Sequence, residues 1–284
     1  MDPIRNRVLV TPAELQAMQA ASADLIILAV QSVNPYTGAH SIRDRRIAGA
    51  IDTEAYSDFQ SPASPQHGAR PLPAIEDLQV AARRWGLRPE ATIVVYDSDR
   101  SMVAARAWWV LRWAGLPDVR VLDGGMPAWL MAKLPTTDQS PRPTPSTITL
   151  SPGHMPELDA DTAQALPQHG VLLDARIRPN YVGGPTADGV APRGHIPGAL
   201  SAPAPDNVTD YGNFADNDAL QGTYGALGAD GTQPVGVYCG AGMSAAHSVL
   251  ALAAIGIDAA MYVGSWSQWS NDPTRPVARG GLPR

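Results

Sequence analysis

Short apolar runs alternate with longer helical patterns along this chain. Residues 26–30, 93–96 and 120–122 are brief apolar stretches bounded by polar or turn residues, and they read as strands. Residues 75–85 and 103–113 carry apolar positions at helical spacing, the former ending at Gly86. The second half repeats the alternation. Residues 171–175, 235–238 and 260–263 read as strands, and 246–255 as a helix-like run. Alternation of this kind predicts an α/β architecture, a parallel sheet with helices on both faces. Ligands of such sheets sit at the carboxyl ends of the strands.

The order of these runs shows a duplication. Val95-Tyr96-Asp97, a helical run and Trp129 in the first half match Val237-Tyr238-Cys239, a helical run and Trp269 in the second. Upstream, Ile47-Ala48-Gly49-Ala50 parallels Ile196-Pro197-Gly198-Ala199, and residues 27–30 parallel 172–175. Ordered matches at an offset of roughly 140 residues indicate two copies of one domain. Between them lies Thr136-Thr137-Asp138-Gln139-Ser140-Pro141-Arg142-Pro143-Thr144-Pro145, which reads as a semi-extended linker. The stretch from there to about Pro156 is expected to wrap one of the domains. The expected division is a first domain over 1–135, a linker over 136–156 and a second domain over 157–284.

Composition narrows the function. The 284 residues suit two domains, and 44% hydrophobic against 17% charged residues suits a sizeable core. A net charge of -6 argues against nucleic acid as a partner. Residues 1–7 lack the apolar core of a signal peptide, and no run of about 18 apolar residues offers a membrane span. The expectation is a cytoplasmic protein with no membrane partner. A single cysteine excludes an intrachain disulfide and a cysteine-based zinc site, and a free thiol suits a reducing compartment. No metal or organic cofactor is expected.

That cysteine is Cys239, at the end of an apolar run and at the start of the small-residue loop Cys239-Gly240-Ala241-Gly242-Met243-Ser244-Ala245. Loop N–H groups and a following helix N-terminus stabilise negative charge, so the setting suits a nucleophilic thiolate. An isolated cysteine is commonly a small buried hydrophobe, and the strand-end position and the glycines weigh against that reading. The position six after Cys239 is Ala245. A Cys-x5-Arg phosphate cradle is therefore absent, which disfavours phosphatase or arsenate-reductase chemistry.

Together, Asp174-Ala175-Arg176, Gly194-His195-Ile196-Pro197-Gly198-Ala199, the loop from Cys239 to Ala245 and Gly264-Ser265-Trp266-Ser267-Gln268-Trp269 resemble the rhodanese-like sulfurtransferases. The likeness covers nearly the whole chain and extends to the tandem thiosulfate and 3-mercaptopyruvate enzymes, with an inactive first copy and an active second. It implies two tandem rhodanese-like domains. A persulfide at Cys239 would take sulfur from a small anionic donor and pass it to cyanide, a thiol or a protein acceptor. The loop is closer to the mercaptopyruvate type, Cys-Gly-Ser-Gly-Val, than to the thiosulfate type, Cys-Arg-Lys-Gly-Val.

The resemblance also places individual residues. Gly240, Ala241, Gly242, Met243, Ser244 and Ala245 form the active-site loop. The Ser244 hydroxyl contacts the sulfur, or caps the following helix. Arg176 either contacts substrate or pairs with Asp174. Asn180 stands where the family has a substrate-binding arginine, and residues 185–189 lack the second arginine of the mercaptopyruvate type. Arg178 and Arg193 are the charges nearest in sequence. Trp266 is a candidate wall of the site. His195 is structural in the family, and His247 is expected to pack or to face solvent. Trp108, Trp109, Trp113, Trp129 and Trp269 suit packing. Asp97 holds the place of Cys239 in the first copy, so that copy cannot form a persulfide. A rival reading is a non-catalytic or regulatory rhodanese module that carries or senses sulfur by binding a partner protein.

Overall fold

The same sheet is built twice. The computed structural model describes residues 2–21, 24–33, 45–184 and 193–283. Strands of the first half are β1 (Leu9–Val10), β2 (Leu25–Gln31), β3 (Arg46–Ile47), β4 (Ala50–Glu54), β5 (Thr92–Tyr96), β6 (Val119–Leu122) and β7 (Thr136–Thr137). Its helices are α1 (Pro12–Ala20), α2 (Ala55–Asp58), α3 (Ile75–Arg84), α4 (Met102–Trp113) and α5 (Gly125–Met131). The second half has β8 (Glu157–Leu158), β9 (Val171–Asp174), β10 (Leu200–Ser201), β11 (Val235–Tyr238) and β12 (Ala259–Tyr262). Its helices are α6 (Ala160–Ala165), α7 (Arg178–Val182), α8 (Asn217–Gly225), α9 (Met243–Ala254) and α10 (Ser265–Trp269).

The first sheet runs β1-β6-β5-β2-β4 and the second β8-β12-β11-β9-β10, every pair parallel. A short antiparallel pair, β3 with β7, accompanies the first sheet. The central strands are buried along their lengths, which is why they read as continuous apolar runs rather than alternating ones. Helices α4 and α9 follow the central strands, and each buries ten of its twelve residues, so each belongs to the core of its unit. Finer details repeat as well. Tyr96 Oη accepts the Ile47 N–H at 3.0 Å, and Tyr238 Oη accepts the Ile196 N–H at 3.0 Å. Trp129 Nε1 donates to the Pro135 carbonyl and Trp269 Nε1 to that of Pro276, so both tryptophans are packing residues. Capping boxes start α1 and α6, from Thr11 with Glu14 and from Asp159 with Thr162.

Contacts divide the chain into two units, and each takes a short segment from the other half. The first unit holds residues 1–61, 72–155 and 208–214; the second holds 62–71, 156–207 and 215–284. In the first, the Phe214 N–H donates to Asp123 Oδ1 at 2.7 Å and Asn213 Nδ2 to the Asp123 carbonyl at 3.2 Å. In the second, Gln268 Nε2 donates to the Gln66 carbonyl at 2.6 Å and the Ala69 N–H to Ser267 Oγ at 2.9 Å. Residues 146–150, within the stretch read as a linker, lie along the first unit. The Ser146 N–H donates to the Arg83 carbonyl and the Leu150 N–H to Gln79 Oε1, and Ile148 and Leu150 are buried.

Candidate active site

Cys239 follows directly on β11, in the second unit, and is buried with 2% of its surface exposed. Three hydrogen bonds between the start of α10 and the Cys239-Gly240 backbone fix it in place. The Trp266 N–H donates to the Cys239 carbonyl at 2.9 Å and the Ser267 N–H to the Gly240 carbonyl at 2.9 Å. Ser265 Oγ accepts the Cys239 N–H at 3.2 Å and donates to the Tyr262 carbonyl at 2.9 Å. Ser265 is fully buried and takes a left-handed conformation, φ 53°. That conformation costs a non-glycine residue about 1–2 kcal/mol. The sequence points to Ser265 only through the repeat: its counterpart is Gly125, also left-handed at φ 55°.

The loop after Cys239 turns over the sulfur. The Gly242 N–H donates to Sγ at 3.0 Å. Gly242 is left-handed, φ 81°, and is the N-cap of α9. Helix α9 therefore starts at Met243, ahead of the expected run. This corrects the capping alternative for Ser244, which lies inside the first turn, where the cap position belongs to Gly242. Gly242 and Met243 are buried, Ala245 is buried below them, and Gly240, Ala241 and Ser244 are half-buried.

The first unit shows how such a loop behaves around a negative charge. Asp97 occupies the place of Cys239, and four N–H groups converge on its carboxylate. Asp99 and Ser101 donate to Oδ1 at 2.9 and 3.0 Å, and Val103 and Ala104 to Oδ2 at 2.9 and 2.8 Å. Ser101, left-handed at φ 63°, caps α4 as Gly242 caps α9. Matching the caps pairs the Ser101 N–H with that of Gly242, and those of Val103 and Ala104 with those of Ser244 and Ala245. In the second unit no side chain caps the helix, and the early N–H groups of a helix have no partner within it. Burial pushes the Asp97 carboxyl up to about 6, against the lowering effect of its N–H donors.

Arg176 is buried, and its Nε and Nη2 donors are engaged. Its Nε bonds Asp174 at 2.9 Å, and its Nη2 bonds Asp174 and the Gly194 carbonyl, each at 2.5 Å. The Trp266 ring lies 4.4 Å from the guanidinium carbon, so Trp266 covers Arg176 while its backbone holds Cys239. Asn180 is half-buried on α7. Residues 185–189 lie outside the described residues. His195 stacks on Tyr181 with ring centroids 3.8 Å apart, and its Nδ1 meets the Tyr181 carbonyl at 2.9 Å. It also bridges Ala278 through its backbone, so its place is structural. His247 is buried, 3.4 Å from Asn207 Nδ2, whose Oδ1 accepts the Tyr224 hydroxyl; the solvent-facing alternative is thereby excluded. Among the described residues no cluster of His, Cys, Asp or Glu could hold a metal ion, and no helix is long and apolar enough to cross a membrane.

Two parallel sheets, each ending in a loop that closes N–H groups over a strand-end carboxylate or thiol, define a duplicated α/β protein with one thiol centre. The rhodanese-like domain model matches residues 11–132 and again 157–272, and the chain belongs to that family. It is 40% identical over 281 residues to the "Putative thiosulfate sulfurtransferase SseB" of Mycobacterium tuberculosis, covering 97% of this chain and 98% of that one. It is 31% identical over 246 residues to the 3-mercaptopyruvate sulfurtransferase of Escherichia coli, covering 81% and 82%. The crystal structure of YnjE superposes with a TM-score of 0.84 at 25% identity, over 98% of this chain and 69% of that one. The chain is thus a member of the sulfurtransferase family.

Proposed function

We propose that Cys239 is the nucleophile of a sulfurtransferase, carrying sulfur as a persulfide from a small anionic donor to cyanide, a thiol or a protein acceptor. The observation that carries this is the pair of loops. Where the first unit places a carboxylate on four N–H groups, the second places a thiol whose sulfur reaches one. A second sulfur on Sγ would extend the side chain by one atom, as Oδ2 extends Asp97, and by the match with Val103 and Ala104 its partners would be the Ser244 and Ala245 N–H groups.

With thiosulfate, the Cys239 thiolate attacks the outer sulfur, the S–S bond breaks, and sulfite leaves with the electron pair. With 3-mercaptopyruvate the C–S bond breaks, and pyruvate leaves as its enolate and takes a proton. Cyanide then attacks the outer sulfur of the persulfide, giving thiocyanate and restoring the thiolate. The N–H groups stabilise the anion at each stage without needing to reorganise. Arg176 and the Asp174 carboxylate form a buried, formally neutral pair that Trp266 covers, so the loop N–H groups supply most of the stabilisation of the anion. Asn180 offers an amide where a charge would clamp a carboxylate, so compact thiosulfate is the favoured donor.

The test is intact-mass measurement after incubation with each donor. One added sulfur in the wild type, lost on adding cyanide and absent in Cys239→Ser, is the expected outcome. No adduct with either donor overturns the reading and leaves a non-catalytic, partner-binding module. Turnover with 3-mercaptopyruvate alone overturns the thiosulfate preference.

A further inference from the structure

Three arginines from separate stretches of the second unit are gathered by the C-terminal segment, and none serves the loop just described. Residues 276–283 cross the end of α7 and the Gly194-His195 stretch. His195 and Ala278 exchange backbone hydrogen bonds at 2.9 and 3.0 Å, and the Gly280 N–H donates to the Val182 carbonyl at 2.8 Å. Arg279 Nε donates to the Arg193 carbonyl at 3.3 Å. Gly281 lies against Arg178, and a methyl group on its α-carbon would fall 3.2 Å from Arg178 Nη2.

Arg178, Arg193 and Arg279 are all exposed. Arg5, Arg46, Arg84, Arg88, Arg120, Arg176 and Arg275 each pair with an aspartate. Arg178, Arg193 and Arg279 have no carboxylate within ion-pair distance among the described residues. In a chain with 27 acidic and 21 basic residues, these are three exposed positive charges with no carboxylate partner among the described residues. The backbone next to Arg193 is linked to the nucleophile's backbone through Arg176 and Trp266. The Gly194 carbonyl, next to Arg193, is held by Arg176; Arg176 lies on Trp266; and the Trp266 N–H holds the Cys239 carbonyl.

We propose that Arg178, Arg193 and Arg279 form an anion-recruiting rim for the carboxylate or sulfonate of the sulfur donor. This deepens the sulfurtransferase reading and rests on it for the identity of the ligand. The rim supplies at the edge the charge that Asn180 does not supply inside. Exposed guanidinium groups act on approach more than on the bound state, since solvent screens them at close quarters and their summed field extends over roughly a Debye length. The rim therefore raises the rate at which an anion reaches Cys239 and leaves the chemical step alone.

Alkylation of the single thiol tests this without any sulfur transfer. Iodoacetate is an anion, iodoacetamide is neutral, and both alkylate Cys239. In Arg178→Gln/Arg193→Gln/Arg279→Gln the ratio of the iodoacetate rate to the iodoacetamide rate should fall roughly five- to tenfold at low salt. The iodoacetamide rate should stay at the wild-type value, which also shows that the loop is intact. A charge-matched control, Arg84→Gln/Arg88→Gln/Arg112→Gln, should keep the ratio, and the three rim arginines replaced by lysine should restore it. An unchanged ratio in the rim variant, or an equal fall in the control, overturns the proposal. In turnover, kcat/KM for the donor should fall with the ratio, lose most of its salt dependence, and leave kcat in place. Failure of every donor to add sulfur would count against the sulfurtransferase reading alone, because the alkylation ratio decides on the rim by itself.

Discussion

Ser265 holds a conformation that its counterpart Gly125 adopts without cost. Its hydroxyl donates to the Tyr262 carbonyl, which turns a lone pair toward the Cys239 N–H. The copy with the thiol carries this strain, and the copy without it does not. Replacing Ser265 with glycine removes both hydrogen bonds and relieves the left-handed Cβ. The two effects are each about 1 kcal/mol and opposed, so thermal stability should change little. Freed from Ser265, the Cys239 peptide can rock relative to Gly242, and the rate of persulfide formation should fall about tenfold, as expected for a misplaced reacting atom. Ser265→Ala keeps the strain and loses the hydroxyl, so it should lose the same rate and also about 1 kcal/mol of stability. Stopped-flow persulfidation beside thermal melts measures both. A wild-type rate in Ser265→Gly would reduce the hydroxyl to a packing detail. None of this is legible from Ser265 alone, because serine gives no sign of a positive φ; the signal lies in the glycine at the repeated position.

At the scale of elements, the loops before α4 and α9 share a left-handed cap and differ in the group they enclose. Asp97→Ala leaves four N–H groups of the first unit without their acceptor, and it should lower stability by about 2 kcal/mol or more. The loss should depend on pH. Burial lifts the folded carboxyl from 3.8 to about 6, so the native state binds this proton more tightly than the unfolded chain. The stabilisation from that proton is fully present below the unfolded value and is lost as pH rises through the folded one. The wild-type advantage over Asp97→Ala should therefore shrink by about 1 kcal/mol between pH 5 and pH 7, as read by denaturant titration. The central strands and long helices were legible in the sequence because they bury both faces or a broad stripe, and their bounds shift by a few residues at most. Strands β1, β8 and β10 were not, since two residues have no periodicity; each owes its place to pairing with a longer neighbour. The start of α9 was misplaced because Gly242-Met243-Ser244 has the composition of a loop, and the left-handed glycine makes it a helix cap.

At the scale of the whole molecule, the duplication was visible as ordered matches, while the exchange of segments was not. Residues 62–71 are rich in proline and lack a long apolar side chain, and nothing in them says which unit they join. The consequence falls on Ser267, whose N–H holds the Gly240 carbonyl and whose hydroxyl accepts the Ala69 N–H. The segment thus bears on the reactive loop through one residue. Gly68 sits against it in a left-handed conformation, φ 85°, and a methyl group there would fall 2.7 Å from both the Gly264 carbonyl and Ser267 Oγ. Gly68→Ala should cost about 1–3 kcal/mol, from the backbone penalty together with the clash. Because Ser267 must move to accommodate it, persulfide formation at Cys239 should slow as well, although Gly68 lies in the half of the sequence that carries no thiol. Hydrogen exchange should show lost protection at Ser267 and Ala69 and little change in β2 and β5 of the first unit. Unchanged protection and rate in a folded Gly68→Ala would uncouple the segment from the site. A second-half fragment, residues 157–284, lacks the segment altogether. It should melt below the second unit of the intact chain and form persulfide more slowly, and a fragment that matched the intact chain in both would show that the exchanged segment is dispensable.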